Sequence, residues 1–116
     1  MIHYSHQNKD TDREREGFSA IDISLPTEAM NVAEITLTGR YPETGFALNR
    51  ESEMIVRILK GSVTFCCEGE EVELPEGSTV LVQTGKKYYW LPTEAVTLYV
   101  VSSPPWTPAQ HQSIPG

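Results

Sequence analysis

Short apolar runs, each broken by a turn signal about every 8 to 12 residues, occupy this chain from Phe18 to Val101. Ala33, Ile35 and Leu37 alternate with Glu34, Thr36 and Thr38, the two-residue period of a half-buried strand. Residues 54–59 are apolar apart from Arg57 and rich in β-branched side chains, which suits a strand covered on both faces. Residues 62–67, 72–74, 79–82, 86–91 and 95–101 read as further strands. Between them lie Gly61, Glu68-Gly69-Glu70, Pro75-Glu76-Gly77, Gln83-Thr84-Gly85 and Leu91-Pro92-Thr93, all turn chemistry. No stretch carries the period of a long amphipathic helix, and only residues 109–113 suggest a single helical turn. About eight or nine strands in one open sheet would leave edges prone to aggregation, so a rolled, double-sheet barrel is expected.

A chain of 116 residues suffices for one such domain. Residues 18–116 are assigned to it. Residues 1–17 are polar and charged in mixed order, without a buried face at either period, and are expected to form a flexible arm. A net charge of -7 speaks against a nucleic-acid partner or an anionic membrane surface, both of which need basic stripes. No apolar run approaches the ~20 residues of a bilayer span, and residues 1–16 lack the apolar core of a secretion signal, so a cytoplasmic location is expected. Cys66 and Cys67 are adjacent and read as reduced thiols, because neighbours on a strand point to opposite faces. His3 and His6 lie on the arm, where a metal would be held poorly.

Residues 54–90 resemble the core of the cupin superfamily, which are small jelly-roll (double-stranded β-helix) barrels. Arg57-Ile58-Leu59-Lys60-Gly61 closes on a glycine as the superfamily's first motif does, and Gly77, Gly85 and Tyr88 keep the spacing of its second. Gln83 stands in the second motif's Pro slot, Tyr88 in its His slot and Pro92 in its Asn slot. Counting back from Gly61 puts the first motif's Glu slot on Met54 and its two His slots on Leu48 and Arg50. A one-residue bulge would instead turn Glu53 inward and put Ala47 and Asn49 in the His slots. Gly39-Arg40-Tyr41-Pro42-Glu43, Tyr88-Tyr89-Trp90 and Pro105-Trp106-Thr107-Pro108-Ala109-Gln110-His111 further resemble segments that recur in a narrower set of small bacterial cupins. The resemblance implies an all-β jelly-roll barrel and a homodimer.

Metal-binding cupins hold iron, manganese, nickel or zinc with three His and one Glu, donors that must converge at ~2.0–2.2 Å. Here Leu48 has no donor, Arg50 is permanently cationic, Met54 offers a soft thioether, and Tyr88 would have to lose a proton from a phenol of pKa about 10. No metal and no other cofactor is therefore expected in the barrel. If Tyr88 faces inward, so does Trp90, with Met54 and Val56 opposite and Arg50 near the mouth. Arg50, Met54, Val56, Tyr88 and Trp90 are thus the expected ligand-binding set, fit for a small aromatic or anionic organic molecule. The same side chains could instead fill a small barrel solid. Two further functions stay open: an isomerase, epimerase or lyase using Tyr88 as acid–base, and a metal-dependent oxygenase. A second titratable group in the cavity near Tyr88 would favour the first of these. His111 is expected to pack the tail onto the barrel beside Trp106.

Overall fold

The structure is a computed structural model describing residues 1–6, 13–23 and 25–116. Residues 7–12, within the expected arm, lie outside the described residues, as does Ser24. The strands are β1 (Arg13–Arg15), β2 (Phe18–Ile23), β3 (Asn31–Leu37), β4 (Phe46–Asn49), β5 (Glu53–Lys60) and β6 (Val63–Cys67). They continue as β7 (Glu70–Leu74), β8 (Thr79–Val82), β9 (Tyr88–Pro92), β10 (Val96–Ser103) and β11 (His111–Ile114). Two antiparallel sheets result, ordered β1-β2-β3-β10-β5-β8 and β11-β4-β9-β6-β7, facing each other across one core.

Alternation decides which side chains enter that core. On β10, Val96, Leu98, Val100 and Ser102 point inward while Thr97, Tyr99 and Val101 point outward. On β5, Met54, Val56 and Ile58 are buried. Contrary to expectation, β5 is covered on one face only: Ile55 and Leu59 remain about half exposed, because a two-sheet barrel has a single interior. One end of the interior is solid, packed by Ile58, Val63, Phe65, Val82 and Val96, each full burial worth ~1.5–3 kcal/mol. Gly61 closes β5 with φ +84°, where a Cβ would press on the Ala95 carbonyl, so the motif glycine is a steric requirement.

The ends of the chain depart from the expected arrangement. Arg13–Arg15, inside the segment read as an arm, pair with β2 as an edge hairpin. β4 is a strand that the sequence pattern did not mark. The anticipated helical turn is a 3₁₀ turn at Pro108–Gln110, after which the chain extends as β11 and pairs with β4, Ile114 opposite Phe46 and His111 opposite Asn49. Gly45, at φ +68°, lets this happen, since a Cβ there would collide with the Ile114 carbonyl oxygen. Among the described residues no helix is long and apolar enough to cross a membrane.

Candidate functional site

The other end of the barrel is hollow. A chamber of about 60 Å³ lies between the sheets, walled by Phe18, Tyr41, Met54, Tyr88, Trp90 and His111 among others. A water takes up ~10–15 Å³ of such space, so the chamber has room for a small chemical group and not for a large molecule. It adjoins an outer vestibule of about 360 Å³, with which it shares Phe18, Tyr41 and His111.

At the junction, one buried amide sets the proton positions. Trp106 Nε1 donates to Asn49 Oδ1 at 3.0 Å, and an indole N–H can only donate, so the Asn49 atom facing it is the oxygen. The same oxygen lies 2.8 Å from His111 Nδ1, so Nδ1 carries the hydrogen. Neutral His111 then presents a lone pair at Nε2, which accepts the Tyr41 hydroxyl at 2.8 Å. Asn49 Nδ2, the remaining donor, points at Met54 Sδ at 3.4 Å. The result is a relay from Tyr41 through His111 to Asn49, built from β4, β11 and the strap that bridges Tyr41 to Trp90.

Burial and two cations tune this relay. Desolvation lowers the pKa of His111, and the charges of Arg15 and Arg13 lower it further, so the ring rests neutral. Desolvation raises the pKa of the Tyr41 phenol, while Arg15 and Arg13 pull it back down. Tyr88 is fully enclosed, and burial pushes its phenol far above the ordinary range, with Tyr41 adding to the effect and a hydrogen bond with Asn49 opposing it. Tyr88 therefore stays protonated and is not a base.

Of the expected ligand-binding residues, Met54, Val56, Tyr88 and Trp90 line the chamber. Arg50 does not: it is exposed, and its backbone N–H is tied to the Gln110 carbonyl. The guanidinium at the chamber belongs to Arg13, held by a two-point pair with Asp22 at 2.9 and 3.0 Å and stacked 4.6 Å from the centre of the Trp106 ring. Leu48 and Arg50 are also displaced from the two His slots, because Ala47 and Asn49 are the inward side chains of β4. Met54 nevertheless points inward, so neither register expected from the sequence holds throughout. The phase is broken between β4 and β5, where Gln110 Oε1 accepts the N–H groups of Glu51 and Ser52 and fixes an irregular connection.

The corrected slots are Ala47, Asn49, Met54 and Tyr88, and they do not fit the metal that metal-binding cupins hold. Ala47 has no donor, the Asn49 oxygen already accepts two hydrogen bonds, Met54 is a soft thioether, and Tyr88 holds its proton. Among the described residues no group of three or more His, Cys, Asp or Glu side chains is placed to hold a metal ion.

Tyr41, His111 and Arg13 were not read as site residues from the sequence, and Asn49 entered only as a His-slot alternative in the bulged register. The segments containing Tyr41 and His111 stood out by resemblance, with no role attached to Tyr41 and only a packing role to His111, whose ring does lie 5.5 Å from that of Trp106. The pairing of β11 with β4, which brings His111 to the chamber, has no local sequence signal beyond Gly45.

No family model matches the chain, and no curated protein matches it. Among solved structures, Streptomyces PAC13 with uridine superposes with a TM-score of 0.83 at 10% identity, covering 99% of this chain and 93% of that one. PAC13 is described as a β-barrel and a nucleoside dehydratase. KdgF from Halomonas sp. superposes with a TM-score of 0.68 at 14% identity, covering 82% of this chain and 87% of that one. The cupin domain of Schizosaccharomyces pombe Cnp3 gives 0.68 at 13% identity, covering 78% and 66%. The fold of this chain is therefore the all-β cupin jelly roll.

Proposed function

We propose that this barrel binds a small organic molecule and performs metal-independent acid–base chemistry on it, of the lyase or isomerase kind. The observation that carries the reading is the 2.8 Å contact between Tyr41 Oη and His111 Nε2 at the chamber wall, with Asn49 behind the imidazole. A ligand C–H or O–H can pass its proton to the Tyr41 oxygen while Tyr41 passes its own to His111 Nε2. The charge then rests on an imidazolium, and no phenolate has to form. Because Arg13 and Arg15 disfavour that imidazolium, it returns the proton readily to a leaving group or to the opposite face of the ligand. Tyr88 and the Trp106 edge keep the ligand oriented, and the apolar walls of Met54, Val56, Phe18 and Trp90 exclude water.

The likeness to PAC13, which holds uridine, supports a ligand of about nucleoside size, with one part in the chamber and the rest in the vestibule. The test is a binding screen of uridine, other neutral nucleosides and small sugar acids by calorimetry, followed by proton NMR of each binder for bond cleavage or solvent deuterium uptake. Binding with deuterium uptake that disappears in His111→Gln supports the reading. Binding without any turnover or exchange leaves a carrier or sensor, the second reading, which the small chamber favours. No binding by any of the three classes refutes the nucleoside-sized ligand.

A further inference from the structure

We infer that the outer vestibule is an anion subsite, in which Arg15 grips a carboxylate or phosphate on the part of the ligand that stays outside the chamber. This rests on the reading of the chamber as a ligand site and adds a charge to the ligand class. The vestibule is lined by Arg15, Arg40, Glu16, Glu43, Tyr41 and His111, together with Phe18, Pro42, Thr44 and Ser113.

The four charged groups there are not equivalent. The Arg40 guanidinium is fixed against the Tyr89 ring, 4.0 Å from its centre, and donates to the carbonyls of Pro42 and Gly45. Carbonyl partners hold it in place without cancelling its charge. Arg15 rests over Phe18 at 5.4 Å and has no carboxylate within ion-pair distance among the described residues. Glu16 and Glu43 are exposed and form no ion pair among the described residues. Arg13, by contrast, is engaged by Asp22 and cannot offer both edges of its fork. Two guanidinium groups without an ion-pair partner among the described residues, Arg15 and Arg40, therefore line the vestibule beside His111, together with the two carboxylates of Glu16 and Glu43. A guanidinium with a free fork recognises a planar carboxylate or a phosphate through two parallel hydrogen bonds. The effect of Arg15 is already felt inside, since it depresses His111. An anion bound to it would shield that charge and make the imidazole a stronger base once the ligand is seated.

The test compares uridine with uridine 5′-monophosphate by calorimetry on the full chain at low salt, and follows inorganic phosphate by NMR of arginine Nε–H groups. The expected result is at least tenfold tighter binding of the monophosphate, an advantage that collapses in Arg15→Gln, is partly restored in Arg15→Lys, and survives in Arg57→Gln on the outer sheet face. Equal affinity for uridine and its monophosphate, or an advantage that persists in Arg15→Gln, overturns the subsite. If neither uridine nor its monophosphate binds, the nucleoside-sized reading fails on its own. The subsite then stands if phosphate saturably shifts Arg15 Nε–H in the parent and not in Arg15→Gln, and falls if it does not.

Discussion

His111 Nε2 meets Tyr41 Oη at 2.8 Å although the two residues lie 70 positions apart, and the meeting is possible only because a strand from the tail lies beside β4. The donor direction in that contact is fixed from a distance, through Asn49, by an indole that can only donate.

Tyr41→Phe removes the hydroxyl that His111 accepts and leaves its Nε2 facing an apolar edge. Stability should fall by roughly 1–2 kcal/mol, the cost of one unmatched buried acceptor. Turnover of any substrate found should drop by about 10²-fold or more. Urea denaturation and single-turnover assays read the two effects separately. Unchanged turnover would show that Tyr41 handles no proton.

His111 sets a pH dependence of stability. Its folded pKa lies below the ordinary 6.5, so the unfolded chain takes up a proton first as pH falls. Stability from this group is complete above about 6.5 and is lost downward through the window between that value and the depressed folded one. Urea midpoints measured between pH 8 and 5 should fall across that window, and His111→Gln should flatten that part of the curve. A curve identical in the two proteins would contradict the assignment.

Replacing Asn49 tests its control of the imidazole. Asn49→Asp places a carboxylate against Nδ1–H, which should raise the His111 pKa and reverse the sign of the pH effect, as nitrogen-15 NMR of the ring will report. Asn49→Leu strands the donors of Trp106 and His111 together, and should cost roughly 2–5 kcal/mol. If the ring keeps its pKa in Asn49→Asp, the amide does not orient it.

The four corrected motif positions lack a workable donor set. Exhaustive dialysis against EDTA should therefore move the melting temperature by less than about one degree for a domain of this size. A fall of several degrees, recovered with iron, manganese, nickel or zinc, would mean that a metal is bound by other groups.

Gly45→Ala should loosen the tail before it harms the rest. The new methyl meets the Ile114 carbonyl, and φ +68° is strained for alanine, together roughly 1–3 kcal/mol. Hydrogen exchange should accelerate at β11 and at the β4 amides facing it, with β5, β6 and β10 protected as before. Uniform acceleration would mean that the strain spreads through the whole barrel.

What the chain revealed on reading follows from how far strand phase persists. Met54, Val56, Tyr88 and Trp90 sit in uninterrupted strands, where inward and outward positions simply alternate. Asn49 could not be placed in this way. Phase counted back from Gly61 is lost at residues 50–52, which take their geometry from Gln110, 58 and 59 positions further on. His111 was hidden for a related reason: β11 is four residues long, follows a proline-rich stretch, and finds its place through a partner strand. Arg13 became visible only once β1 folded back on β2 and set it beside Asp22. Long-range backbone contacts were thus the missing information, since the residue types themselves carry the relevant chemistry.

β11 is an edge strand with a single neighbour, and it alone delivers the imidazole. Such margins fray far more often than a barrel unfolds. Each transient release would withdraw the imidazole, unlatch Tyr41 and widen the passage to the interior at once. Under the proposed acid–base function, admission of a ligand and disarming of the site would then be one event, and the barrel would be reactive only while shut.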